Sequence, residues 1–258
     1  MRHKQMFAEP SQILAPLALG GACGIAGGLF GVGGGVIAIP LLGMLYGLDQ
    51  QTAQGTVLIM VVPNVLLAFL HYRRRFGVDL RMAAAIALSA LVTTYPVARL
   101  TTRADPHLLR LAFAGFLVVL SAIIAYRTWH GLVASPTRRP LAWGWTAVVG
   151  VIGGIVSGLF GVGGAFVAPP LLTGFFAVRQ VEAQGLALAL VCPGAAVALA
   201  TYAGAGQVDW TLGIPLAIGG TAAISAGVAM ARRLPERRLR LAFCGFMTVA
   251  AGLLAAHG

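Results

Sequence analysis

Long apolar runs with almost no ionisable side chain dominate this sequence of 258 residues. Runs such as 13–48, 82–98, 108–125 and 212–231 approach or exceed the roughly 20 residues that an α-helix needs to cross a bilayer. Only 10% of the residues are charged and 59% are hydrophobic, whereas about a quarter of a soluble domain is charged. The sequence therefore predicts an all-α polytopic membrane protein, with the lipid bilayer as its solvent.

The formal net charge of +11 is the second constraint on function. Its arginines lie between the apolar runs, where loop charges fix the orientation of a membrane protein, so we predict no nucleic-acid partner. The three cysteines are single and far apart in sequence, which indicates neither a disulfide framework nor a metal cluster. We predict no cofactor and no metal, and we expect a multi-pass protein of the cell (inner) membrane.

An internal repeat organises the chain. Residues 25–42, IAGGLFGVGGGVIAIPLL, recur as 155–172, IVSGLFGVGGAFVAPPLL, at a constant offset of 130 positions. The same offset pairs Gln54 with Gln184, and no gap is needed anywhere. Two-repeat architecture is common among secondary transporters. The predicted organisation is an N-terminal segment (1–12), a first transmembrane repeat (13–130), a linker (131–142) and a second transmembrane repeat (143–258).

Each repeat contains one hydrophobic stretch broken by glycines, followed by three uninterrupted spans. The broken stretches are 13–46 and 143–176, and the spans are 53–71, 80–100, 108–126, 183–203, 210–231 and 239–256. If each broken stretch crosses once, the 18 Lys and Arg residues divide evenly between the two sides. If it turns back as a hairpin or re-entrant segment, 13 fall on one side and five on the other, being Arg2, Lys4, Arg99, Arg103 and Arg110. The positive-inside bias favours the second model, with inverted repeats and the richer side cytoplasmic.

The glycine clusters are the candidate substrate site. Their members are Gly31, Gly33 and Gly34 in the first repeat and Gly161, Gly163 and Gly164 in the second. Such density breaks a helix, and broken backbone at membrane depth is tolerated only against protein or a water-filled cavity. The freed N–H groups and the positive end of a helix dipole attract anions, so two facing breaks predict one anion site.

Packing explains other glycines, because the spacing of Gly20, Gly24 and Gly28, and of Gly150, Gly154 and Gly158, lets transmembrane helices approach closely.

Polar residues near the breaks are candidate ligands. Gln54, Thr56 and Gln184 either donate to the substrate or merely cap and pack their helices. Prolines are interpreted as structural kinks rather than chemistry, at Pro40, Pro63, Pro170 and Pro193.

Two further groups of polar side chains have alternative interpretations. Thr93 and Thr94 either bond their own helix backbone or face the permeation path. His71 and Tyr72 lie beside Arg73, Arg74 and Arg75, and Tyr202 is the repeat partner of Tyr72. This cluster is interpreted as a set of headgroup anchors. The alternative for this cluster is an electrostatic funnel for anions.

The glycine motif resembles that of the sulfite exporter family TauE/SafE, whose repeats carry G-x-G-G-G-x-x-x-x-P-x-L. Residues 31–42 match this pattern, and residues 161–172 match it except that Ala165 replaces the third glycine. The resemblance extends over essentially the whole chain. It implies an exporter or permease for a small sulfur oxyanion or organosulfonate, such as sulfite or sulfoacetate.

The expected function is therefore export of a small anion by electrogenic, carrier-type transport. All seven acidic residues fall at span ends or in loops, and an inside-negative potential favours outward anion movement by about 2.3 kcal/mol per charge per 100 mV. An anion channel, or a permease for a different small carboxylate or anion, is the alternative. A membrane enzyme is disfavoured because no nucleophile–base pair or metal-ligand cluster is visible, so no catalytic residue is predicted. An assembly factor without transport and a homodimeric state remain open.

Overall fold

The computed structural model describes residues 10–30, 33–76, 79–129, 143–161, 167–176 and 180–231, together with six helical residues between 242 and 252. All regular structure in these ranges is helical. The elements are α1 (Pro10–Phe30), α2 (Gly35–Tyr46), α3 (Gln50–Phe76), α4 (Leu80–Thr101), α5 (Pro106–Trp129), a 3₁₀ turn (Trp143–Trp145), α6 (Thr146–Phe160), α7 (Ala168–Phe175), α8 (Gln180–Gly204) and α9 (Trp210–Ala231).

Five helices, α3, α4, α5, α8 and α9, are long and apolar enough to cross a membrane. They match five of the six predicted uninterrupted spans and confirm a multi-pass all-α architecture. The sixth span, 239–256, lies mostly outside the described residues. Ser121 on α5 donates to the Cys244 carbonyl oxygen at 3.0 Å, so this part of the chain packs against α5.

Four aspartates define where helices begin. Asp49, Asp79, Asp105 and Asp209 each accept a backbone N–H from two or three residues later, at 2.7–2.9 Å. Such a cap satisfies an N–H group that the first helical turn leaves unpaired. These carboxylates therefore lie at helix starts, as the predicted segmentation requires.

α3 and α8 form the centre of the molecule. In each, 56% of the membrane-spanning window is buried, against 22–33% for α4, α5 and α9. The central pair occupies equivalent positions in the two sequence repeats. Their buried residues include several of the large apolar core side chains, namely Leu58, Met60, Leu186, Leu188 and Leu190.

Glycines bring two peripheral helix pairs into backbone contact. In the first pair, α1 packs on α9, and a Cβ added to Gly24 would lie 2.3 Å from the Gly220 carbonyl oxygen. In the second pair, α6 packs on α4, and a Cβ added to Gly154 would lie 2.7 Å from the Ala90 carbonyl oxygen. Gly24 and Gly154 are repeat equivalents, and so are Gly220 and Ala90. The predicted close approach is thus confirmed. Each crossing joins one helix of the first repeat to one of the second, and the two crossings use equivalent positions.

Contacts between neighbouring helices also define their relative directions. Gln51 at the start of α3 donates to the carbonyl oxygen of Thr101 at the end of α4, so these two helices are antiparallel. Thr56 contacts Asp209, and Asn64, two turns later on α3, contacts Thr221 further along α9. α3 and α9 are therefore parallel.

Candidate functional site

The first helix break is a glycine turn that folds back on α1. Gly33 and Gly34 adopt left-handed backbone conformations with φ of 72° and 85°, which side chains rarely tolerate. A Cβ added to Gly34 would lie 2.4 Å from the Cys23 carbonyl oxygen, seven residues before the end of α1. The chain thus turns back along α1 before α2 begins. The predicted interruption of the helix is confirmed here.

A buried amide from α3 holds this turn. Asn64 Nδ2 donates to the Gly33 carbonyl oxygen at 3.4 Å, and Asn64 Oδ1 accepts from Thr221 Oγ1 at 3.0 Å. Asn64 is completely buried. Gly33 also lies against Val61 and Val65 of the same helix. α3 therefore satisfies one carbonyl that the break exposes, as broken backbone at membrane depth requires.

The second break begins at Gly161, directly after α6. Gly161 has φ of 64°, and its N–H donates to the Ser157 carbonyl oxygen at 2.9 Å. The next described helix, α7, starts at Ala168. Gly163 and Gly164, like Gly31 in the first repeat, lie outside the described residues. Of the two predicted glycine clusters, the structure thus describes Gly33, Gly34 and Gly161.

Gln54 is the predicted ligand that lies beside a break. A Cβ added to Gly161 would lie 3.2 Å from Gln54 Cβ, so the α3 side chain packs directly on this turn. Gln54 is completely buried, and its Oε1 accepts from Tyr202 Oη at 2.8 Å. Within the part of the chain that the structure describes, its Nε2 has no hydrogen-bond partner. Most buried polar atoms in proteins are paired, so this donor needs an explanation.

Gln50, one helical turn before Gln54, repeats the same feature. It is 3% exposed, and its Nε2 also has no hydrogen-bond partner in the described ranges. Residues four apart share a helix face, so two unpaired amide donors lie one above the other on α3. An amide Nε2 only donates, so both positions suit a ligand rich in acceptors, such as an oxyanion.

Both breaks border one face of α3. Gln54 meets the second break, and Val61, seven residues later, meets the first. That spacing corresponds to about 10 Å along the helix axis. The structure thus brings Gln54 and Gly161 together and places Gly33 and Gly34 about two turns further along the same face.

The remaining predicted ligands are less central. Thr56 Oγ1 accepts the backbone N–H of Asp209 at 2.9 Å, so its oxygen joins α3 to the start of α9. This contact corresponds to the structural alternative, in which Thr56 caps or packs helices rather than binding substrate. Gln184 is half-buried in α8. Pro40, Pro63 and Pro193 lie within α2, α3 and α8, while Pro170 lies in the first turn of α7.

The interpretation of Tyr202 as a headgroup anchor is wrong. Its side chain is completely buried and donates to Gln54. The repeat could have indicated that this tyrosine belongs with the glutamine, because a glutamine (54 and 184) and a tyrosine (72 and 202) recur at equivalent positions. The sequence analysis did not predict Gln50 and Asn64 as site residues, since the sequence alone does not reveal which other part of the chain a polar side chain meets.

Thr93 and Thr94 of α4 differ in the helix to which their hydroxyl groups donate at the shortest distance. Thr93 bonds its own helix through the Ser89 carbonyl oxygen at 2.9 Å. Thr94 instead donates to the Gly154 carbonyl oxygen of α6 at 3.2 Å. Beside it, Ser157 is completely buried, and its Oγ has no hydrogen-bond partner among the residues described. Thr94 therefore helps to hold the helix that leads into the second break.

The chain matches a protein-family model described as sulfite exporter TauE/SafE over residues 16–254. It is also similar to several curated proteins. A probable membrane transporter protein of Xylella fastidiosa is 28% identical over 86% of this chain and 85% of its own. The probable membrane transporter protein YdhB of Bacillus subtilis is 26% identical over 90% of this chain and 95% of its own. A probable membrane transporter protein of Methanocaldococcus jannaschii is 30% identical over 62% of each chain.

Proposed function

Because the chain belongs to the sulfite exporter TauE/SafE family and is a membrane transporter, we propose that it exports a small anion through a site at its two helix breaks. The substrate class is a sulfur oxyanion or organosulfonate, with sulfite and sulfoacetate as representatives. The protein acts in the cell (inner) membrane as an electrogenic carrier. The observation that carries this proposal is the completely buried Gln54, which packs on Gly161 and whose Nε2 has no hydrogen-bond partner among the described residues.

The chemistry of the site favours an anion over a cation. Gln54 offers a ligand only the donor Nε2, because Tyr202 already donates to its Oε1 and Nε2 has no partner among the residues that the structure describes. Glycine turns supply backbone N–H groups and helix N-termini, which carry partial positive charge. The start of α2 at Gly35 is one such terminus, and the preceding Gly34 provides no side-chain cap for it. A small oxyanion at either break would accept from donors of this kind.

The energetics favour outward movement. The described aspartates, at positions 49, 79, 105 and 209, cap helix starts rather than lying at mid-membrane. An inside-negative potential drives an anion outward with about 2.3 kcal/mol per charge per 100 mV. A dianion gains about twice that amount, so export needs no coupled ion.

Inverted repeats belong to the same proposal. α3 is antiparallel to α4 and parallel to α9, the repeat equivalent of α4. Equivalent helices then run in opposite directions, which supports a two-fold relation with its axis in the membrane plane. A site between such repeats lies near mid-membrane and can be reached from either side in turn.

Anion efflux from proteoliposomes tests the transport function. Sulfite, sulfoacetate, thiosulfate and acetate are loaded inside, and the membrane potential is clamped at several values. We expect saturable, counter-flow-sensitive efflux of the sulfur anions that increases as the interior becomes more negative. Flux that ignores the potential would contradict electrogenic export. Non-saturable flux would indicate a channel, and flux of acetate alone would indicate a carboxylate permease.

Gln54→Leu, Tyr202→Phe and the double variant test the site. Each single change leaves one buried polar group unpaired and costs about 1–3 kcal/mol of folding stability, while the double variant removes both partners and regains most of it. Hydrogen bonds to a charged ligand contribute about 1.5–3 kcal/mol, so losing the Gln54 donor should weaken substrate affinity about 10-fold or more.

The double variant separates folding from binding. We expect near-normal thermal stability with impaired transport, measured as the substrate concentration at half-maximal efflux. A stable double variant that transports like the unmodified protein would remove Gln54 from the site.

A further inference from the structure

A basic groove lies between the ends of α4 and α8, apart from the helix breaks. Its volume is about 610 Å³, which lies in the range of small-molecule sites. Tyr95, Arg99 and Arg103 line one wall, and Thr201 and Gln207 belong to the other. The candidate membrane spans end at Thr101 and Gly204, so the groove opens where the two helices leave the apolar region.

The two guanidinium groups of the groove have no carboxylate partner among the described residues. Arg99 Nη1 donates to Tyr95 Oη at 3.3 Å, and the nearby Asp105 carboxylate instead accepts the backbone N–H of Leu108. Both arginines are exposed and lie four residues apart. Both line the same groove, so their like charges repel each other. A shared anion would relieve that repulsion and receive charge-assisted hydrogen bonds.

The groove is held in shape by contacts between its walls. Gln207 Nε2 donates to the Thr102 carbonyl oxygen at 3.0 Å, which ties the turn after α8 to the end of α4. Gln207 N also donates to the Tyr202 carbonyl oxygen at 2.9 Å. The arginines therefore sit on a fixed concave surface rather than on a free helix end.

Helix capping does not account for both arginines. A cation in the last turn is favoured by the helix dipole. However, Arg99 has Ala229 as its repeat equivalent, and Tyr95 has Ser225. α9 therefore makes its equivalent helix crossing without this arginine and tyrosine, so the fold does not require them.

We propose that Arg99 and Arg103 form a second anion site in this groove, for a multivalent oxyanion group. The group is either a free anion, such as sulfate or phosphate, or the phosphate of an anionic lipid headgroup. The two sources share the same chemistry, in which two guanidinium groups donate to oxygens of one centre. This site does not depend on the transport proposal, because none of its ligands contacts Gln54.

Sulfate binding by the full-length protein in phosphatidylcholine nanodiscs tests the site. We compare the unmodified protein with Arg99→Gln/Arg103→Gln and with Arg81→Gln, which removes an exposed arginine from the opposite end of α4. Calorimetry should show affinity reduced at least about 10-fold in the double variant, since that variant loses both charged donors of the groove. Arg81→Gln should bind normally, and thermal unfolding confirms that all three proteins are folded.

A comparison with anionic lipid shows whether a lipid headgroup or a free anion occupies the groove. If a headgroup occupies the groove, phosphatidylglycerol in the nanodisc suppresses sulfate binding, and the double variant retains less of this lipid through purification than Arg81→Gln does. If a free anion occupies it, sulfate binding persists in phosphatidylglycerol. Equal sulfate affinity and equal lipid retention in the double variant and Arg81→Gln would overturn the proposal.

Discussion

Gly34 is constrained both by its backbone conformation and by its neighbour. Its φ of 85° disfavours any side chain, and a Cβ would lie 2.4 Å from the Cys23 carbonyl oxygen. Gly47 is a matched control, because it has φ of 65° but nothing within 4 Å. We expect Gly47→Ala to cost roughly 1–2 kcal/mol through conformation alone. Gly34→Ala adds an overpacking cost of about 1–3 kcal/mol.

Thermal unfolding in detergent compares the two variants. The Gly34 variant should unfold at a clearly lower temperature than the Gly47 variant. Equal losses would mean that the first break does not fold back tightly on α1.

Sequence could identify Gln54 but not the partners of the polar residues around it. Their position near the start of the span that follows the first break predicted both Gln54 and Thr56 as ligands, although their contacts differ. Thr56 binds the N–H of Asp209, 153 positions away, while the Nε2 donor of Gln54 has no partner among the described residues. Residues two apart on a helix point to different faces, and only tertiary packing decides what each face meets. The partner is therefore not encoded locally.

At the level of helices, alanine substitutions at the α1–α9 and α4–α6 contacts should lower stability by similar amounts. An alanine at Gly24 or Gly154 would place its Cβ within 2.7 Å of a backbone atom in the facing helix. We expect each variant to lose roughly 1–3 kcal/mol, because the two backbones must separate. Gly115→Ala on α5 is the control, since its Cβ meets nothing within 4 Å. That change should stabilise by up to about 1 kcal/mol through helix propensity.

Unfolding in detergent measures all three proteins under one condition. A Gly24 variant as stable as the Gly115 variant would show that α1 and α9 do not rely on this contact. A loss confined to one of the two crossings would show that the repeats are energetically unequal.

The helices themselves were largely predictable, because apolar length and terminal aspartates determine where spans begin and end. The small-residue spacing also predicted close approach. It did not predict the partners: α1 packs on α9 and α6 on α4, so each repeat supplies the helix that covers the other. Glycine spacing specifies a smooth surface, which fits any similar surface, so the choice of partner comes from the fold as a whole.

For the whole molecule, the orientation of the two repeats in the membrane decides whether they can share one mid-membrane site. Leu80 and Trp210 are repeat equivalents at the starts of α4 and α9, and both are about half exposed. α3 is antiparallel to α4 and parallel to α9, so the two starts should lie on opposite sides of the bilayer. The distribution of Lys and Arg puts Leu80 on the cytoplasmic side.

Cysteine labelling at this matched pair decides the arrangement. Leu80→Cys and Trp210→Cys are made separately in a background where Cys23, Cys192 and Cys244 are replaced by alanine. A membrane-impermeant maleimide should label position 210 in intact cells and position 80 only after permeabilisation. Labelling of both from one side would contradict inverted repeats, and a shared mid-membrane site would lose its geometric basis. Labelling in the reverse sense would keep the inversion but place the arginine-rich side outside, against the positive-inside bias. Arg99 and Arg103 would then face the cytoplasm, where their groove would meet anions before export rather than after it.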